Sequence, residues 1–152
     1  MNLALAVREA FGVSQRDAVE RLQDEMAKMP QVELPTEHLF ADGMYCRVLP
    51  RKAGTLIVGK VHKKEHFYMV VQGRVLVTTD EGAREIAAPK VIVSSPGTKR
   101  AVFAIEDSVC LTVHSVSSRD LAEIENEIVE NAPGALFDFE NKLKSPALEH
   151  SP

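Results

Sequence analysis

Between His38 and Ser115 the chain is a succession of short β-rich runs with no helical stretch among them, and this feature narrows its fold more than any other. MYCRVL, TLIVGKVH, HFYMVVQ, RVLVTT, REIAA, VIVSS, AVFAIE and VCLTVH follow one another. Gly43, Gly54, Gly73, Asp80-Glu81-Gly82, Pro89, Pro96-Gly97 and Asp107 part them. Strands at about 8–12-residue spacing, with no helix between them, build antiparallel sandwiches or barrels. The expected fold is all-β, with an antiparallel barrel over residues 37–116.

The flanks differ in texture. From Ser14 to Met29 the spacing is helical: Ser14 can cap the start, and Val19, Leu22, Met26 and Met29 fall on one face before Pro30 ends it. That stripe must be covered, either by the chain's own domain or by a partner, so Val19, Leu22 and Met26 are candidate interaction residues. Residues 30–36 hold two prolines and read as an extended arm, which completes an N-terminal unit over 1–36. Residues 117–152 read as a second helix and a tail. Ser118 is its expected cap, Leu121, Ile124 and Ile128 form a narrow stripe, and Pro133-Gly134 is its expected break. Asp120, Glu123, Glu125, Glu127 and Glu130 give that helix a solvated acidic face.

Composition removes several function classes. With 152 residues the chain has about one domain's length, and 45% hydrophobic with 26% charged residues is an ordinary globular balance. Aromatics are 5%, Trp is absent and the net charge is −4, which suits neither a base-stacking platform nor a phosphate-binding surface. No nucleic-acid partner is expected. No run reaches the roughly 18 apolar residues of a membrane span, and Arg8 and Glu9 interrupt the apolar start where a signal peptide would not. Neither a membrane partner nor secretion is expected. Cys46 and Cys110 sit far apart in apolar alternating runs, as reduced buried thiols of an intracellular protein do.

The residues with chemical potential cluster at Gly59-Lys-Val-His62-Lys-Lys-Glu65-His66, where a tight turn brings two imidazoles together. Neutral imidazole ligates zinc, iron, nickel or manganese, but a catalytic site ordinarily has three protein ligands and an open position. His114, ending the last β-rich run, is the candidate third. Lys60 and Arg100 point instead to an anion, since a guanidinium grips carboxylate or phosphate with paired hydrogen bonds.

The stretch Lys60 to Gly73 resembles the first motif of the cupin superfamily, in which two His separated by one residue precede a Glu and a terminal Gly. His62 falls on the second His, His66 on the Glu, Gly73 on the Gly, and Lys60 stands where the first His belongs. Ser95-Pro96-Gly97-Thr98-Lys99-Arg100 resembles the second motif, with Arg100 at the position of its His ligand. More narrowly, Met29-Pro30-Gln31, His38 to Gly43, Gly59 to His66, Ser95 to Arg100 and Glu106-Asp107 are similar to small cupin-like proteins of tailed bacteriophages. The resemblance implies an antiparallel jelly roll, the double-stranded β-helix, with an optional divalent metal.

The expected function is a phage-type cupin-fold interaction or structural protein, non-catalytic and self-associating. Its partners would be copies of itself or virion proteins, as a capsid or tail accessory in the virion or the cytoplasm of the infected bacterium. The alternatives are a metal-dependent small-molecule enzyme on His62, His66 and His114, such as an isomerase or dioxygenase, and an anion binder on Lys60 and Arg100.

Overall fold

The computed structural model describes residues 3–12, 16–79, 81–131 and 135–143, with the side chain of Arg16 excepted. Two helices, α1 (Leu3–Gly12) and α2 (Arg16–Met26), open the chain. Nine strands follow: β1 (Glu37–Ala41), β2 (Met44–Arg51), β3 (Leu56–Val58), β4 (His66–Gln72), β5 (Arg74–Thr79), β6 (Gly82–Ala87), β7 (Lys90–Ser94), β8 (Ala101–Ala104) and β9 (Ser108–Ser115). Helix α3 (Leu121–Ile128) comes last.

Each of the eight β-rich runs contributes a strand, and the runs pair in nested fashion. β2 pairs with β9, β3 with β8, β4 with β7 and β5 with β6, all antiparallel. A long hairpin is thus folded over on itself, which is how a jelly roll is wound. The strands lie in two sheets, β1-β2-β9-β4-β7 and β3-β8-β5-β6, rather than in one closed ladder. The expected barrel is in this respect a two-layered sandwich. Between the layers Tyr68, Val70, Val75, Val77, Ile86 and Cys110 form the central core.

At the β4–β5 turn Gly73 has φ +81, and a Cβ there would stand 2.3 Å from the Asp107 carbonyl oxygen and 2.4 Å from Ser108 Oγ. Only glycine fits a backbone this close.

The N-terminal helices cover the outer face of the four-stranded sheet. Val19 and Leu22 are 1% and 0% exposed, and with Ala6, Ala10 and Ala101 they form a second core that Met26, Leu56 and Val58 pack against. Of the two covers expected for this stripe, the chain's own domain or a partner, the structure shows the first for Val19 and Leu22, the candidate interaction residues that α1 and Ala101 bury. Helix α1 was not expected. Its small Ala6 and Ala10 let α2 approach closely, and this is where the apolar start of the chain goes. Helix α2 is shorter than the 14–29 expectation, and its anticipated cap, Ser14, lies outside the described residues.

Other departures are local. β1 was not anticipated, and only Leu56–Val58 of the TLIVGKVH run joins a sheet, leaving His62 in an isolated bridge with Val129. Asp120 rather than Ser118 caps α3, its carboxylate accepting from Glu123 N at 3.0 Å, while Ser118 Oγ accepts from Asp120 N. Asp can reach N3 from that position. The Pro133-Gly134 break lies outside the described residues. Tyr45, Ile124, Ile128, Val129 and Phe139 make a third core that seats α3 and the following segment over one end of the sandwich. Among the described residues no helix is long and apolar enough to cross a membrane.

Candidate site at the histidine cluster

Three segments bring the imidazoles together. The loop carrying His62 is pinned to the loop before β8, with His62 N donating to the Thr98 carbonyl (3.2 Å) and Gly97 N to the His62 carbonyl (2.7 Å). From the other side α3 holds it, as Lys63 N donates to Ile128 O and Glu130 N to Val61 O. His66 is the first residue of β4 and His114 the seventh of β9, and strand alternation turns both inward. The ring centroids stand 4.3 Å apart for His62 and His66, 4.7 Å for His66 and His114, and 5.5 Å for His62 and His114. Tyr45 stacks on the far side of His114 at 5.9 Å and bonds His38 at 2.6 Å. His38 is thus a hydrogen-bonded structural residue.

These imidazoles are neutral. Burial pushes His62 down to about 3, and His66, Arg47 and Arg100 push the same way. His114 goes down to about 2, again chiefly through burial and then through the two neighbouring rings. His66 is lowered by burial, with Arg100 adding to it and a hydrogen bond to Lys64 opposing it. A carbonyl only accepts, so the proton of neutral His66 sits on Nδ1, 3.1 Å from Lys64 O, and its Nε2 keeps a lone pair. The His62 ring likewise engages the Lys60 main chain.

Three neutral imidazoles are chemically suited to a divalent metal, but their arrangement here is not. The rings lie at interplanar angles of 11–34°, and His114 Nε2 is engaged by Thr112 Oγ1 at 2.9 Å. Among the described residues no three His, Cys, Asp or Glu side chains form a group that could hold a metal ion. Glu65, the one acidic residue of the turn, is exposed, on the opposite side from buried His66.

The two cationic positions part company. Lys60 Nζ leaves the cluster to bond Glu125 Oε1 of α3 at 2.9 Å. Arg100 turns inward, where Nη2 donates to Ser94 Oγ (2.8 Å) and Nη1 to the Thr78 carbonyl (3.2 Å), with its guanidinium carbon 5.7 Å from the Tyr68 ring centre. Sequence reasoning missed two inward arginines, Arg47 and Arg51. Alternation along MYCRVLPR puts both on the side of buried Tyr45, which is the signal that would have found them.

Somewhat more than half of the chain is similar in fold to solved structures. KdgF from Halomonas sp. aligns at 15% identity over 59% of this chain and 86% of its own, with a TM-score of 0.50. The cupin_2 domain of an XRE family transcriptional regulator from Enterobacter cloacae gives 12% identity, 57% and 100% coverage, and 0.49. A cupin superfamily protein from Desulfitobacterium hafniense gives 12%, 60% and 86%, and 0.46. Cupin superfamily proteins are thus among the structural neighbours of this chain. At these identities the likeness is one of fold alone and decides no function. No protein-family profile matches the sequence, and no curated protein matches it.

Proposed function

We propose that this chain is a non-catalytic cupin-fold interaction module, and that its first partner is a second copy of itself, docked on the outer face of the five-stranded sheet. The observation that carries this reading is the composition of that face. Register aligns Leu39, Cys46, Val113, Phe67 and Val93 in one row across all five strands, and Val48, Leu111, Met69 and Val91 in the next. Phe67, Val91 and Val93 are 49%, 57% and 55% exposed. No charged side chain interrupts either row, with Glu37 only at the rim. On the other sheet the apolar outer residues Leu56, Val58 and Ala101 are covered by α1 and α2. Among the described residues no segment does this for the five-stranded sheet.

Five strands at about 4.8 Å spacing and two rows of side chains make a patch of about 300 Å². Apolar patches of this size on a protein surface are often functional, and an interface of ordinary size takes about 800 Å² per partner, core and rim together. An uncharged patch of that size is the core of such an interface. It offers nothing to a charged partner and is self-complementary about a two-fold axis. A phage setting and a virion partner rest on the sequence resemblance alone.

Sedimentation of the full chain tests the reading: a dimer at micromolar concentration supports it, and a monomer throughout overturns it. Elemental analysis addresses the catalytic alternative. Protein purified without chelators should carry no stoichiometric metal, and one metal per chain that vanishes in His62→Ala/His66→Ala would replace this reading with the enzyme.

A further inference from the structure

The outer face of the five-stranded sheet is not level, and its relief limits how a second copy can sit on it. β4 carries the bulky pair Phe67 and Met69, with Phe67 49% exposed. β2, two strands away, carries the small pair Cys46 and Val48, both half-buried. The edges repeat the contrast, with Leu39 and Glu37 on β1 and two valines on β7. Between β2 and β4, β9 presents Val113 and Leu111. From β1 to β7 the face therefore reads large, small, intermediate, large, small.

Sheets packed in aligned fashion keep their strands within about 30° of each other. Two in-plane two-fold axes can then lay this face on a copy of itself. An axis along β9 reverses the strand order, so that β4 lies over the partner's β2 and β1 over the partner's β7. Each large column then meets a small one, which is how interdigitating layers fill space. An axis across the strands keeps the order, so that every strand lies over its own copy. Phe67 would then meet the partner's Met69 while Cys46 met the partner's Val48. That overpacks one strand and leaves a void along another, and both destabilise.

Charge selects the same axis. Glu37 is exposed and is the one charged member of the two rows. An axis across the strands sets the two Glu37 side chains on facing copies of β1, offset by only about 7 Å, two residues of rise. There the like charges repel. An axis along β9 parts them to opposite edges of the interface, about 19 Å from each other across the sheet. Each then lies over the partner's Val91, next to exposed Lys90 in the same strand.

We propose that two copies dock about a two-fold axis running along β9, with Phe67 and Met69 of each seated over the partner's Cys46 and Val48. This pairing rests on the dimer proposed above and specifies which strands meet in it.

A double-mutant cycle on the dimer Kd, measured by sedimentation of the full chain, tests it. Within one chain positions 46 and 67 stand about 10 Å apart with β9 between them, far enough for changes there to add. Across the proposed interface they touch. Cys46→Phe sets bulk against the partner's Phe67, and Phe67→Cys opens a void over the partner's Cys46, so each should raise Kd about tenfold or more. In the double variant every small position again faces a large one, and Kd should return to within about threefold of wild type. Additive losses overturn the pairing and leave the dimer standing, whereas a wild type that stays monomeric overturns the dimer and the pairing with it. Isotope-filtered NMR of a half-labelled wild-type dimer needs no variant. Phe67 ring protons should show contacts to the Val48 methyls of the partner, and contacts to the partner's Met69 methyl in their place overturn the proposal.

Discussion

Replacing Phe67 with Glu puts a carboxylate at the centre of the exposed apolar row, and the consequence can be sized from the structure. Phe67 is 49% exposed, and a Phe presents about 200 Å², so about 100 Å² per protomer is available for burial by a second copy. At about 25 cal/mol per Å² that is about 2.5 kcal/mol per protomer and about 5 kcal/mol for a two-fold dimer, or three to four orders of magnitude in Kd. The new carboxylates would lose water without gaining a partner, which adds to the loss. The monomer should suffer much less, because half of the ring is already in water. Sedimentation velocity at tens of micromolar should show a wild-type dimer and a Phe67→Glu monomer. Ile105→Glu, at an exposed apolar position off both rows, should leave the mass unchanged. If Phe67→Glu keeps the wild-type mass, this face is not the interface and the reasoning from its exposed area is refuted.

Leu22→Ala should cost about 2–5 kcal/mol in urea unfolding, because Leu22 is fully buried between the helices and the four-stranded sheet; a loss under about 1 kcal/mol would mean the hairpin is not seated there. Gly73→Ala should destabilise by more than the roughly 1–2 kcal/mol of a left-handed alanine, since its Cβ would also strike the Asp107 carbonyl; a neutral effect on the urea midpoint would contradict the turn geometry. Stability should fall as pH is lowered from neutrality towards 5. An unfolded histidine takes up a proton near its model value of 6.5, whereas folded His62 and His114 resist until about 3 and about 2, so unfolding binds protons throughout that window. The slope should approach about 1.4 kcal/mol per pH unit for each of the two, fully recovered above pH 6.5, and urea midpoints equal at pH 7 and 5 would show the imidazoles are not buried neutral.

Much of this architecture was legible because it is written in local pattern. Period-two alternation and turn residues parted the β-rich runs correctly, since a strand with one face in a core repeats every second residue whatever it pairs with. The same alternation carried the inward turn of His66. Helix α1 was missed because Ala6 and Ala10 are too small to mark a stripe by themselves and matter only once α2 lies against them. β1 escaped because EHLFA is short and its alternation is weak until β2 supplies the register. At the site, the motif spacing led to Lys60 and Arg100 as a pair. Lys60 went to Glu125 instead, a partner 65 positions away that no local pattern could name.

Local sequence by itself determined that this is an antiparallel β protein with helices at both ends, and that His62 and His66 meet across one turn, because neighbours along the chain settle turns, alternation and capping. Tertiary structure alone decided which apolar surfaces are covered and which charges are buried. Val19 and Leu22 face the chain's own sheet while Phe67 and Val93 face water, although hydrophobicity does not distinguish them. Arg47 enters the interior beside Arg100 while Lys60 leaves it, although all three are cations in similar surroundings along the chain. Burial is non-local: it depends on which segments return to cover a face, and those lie tens of residues away.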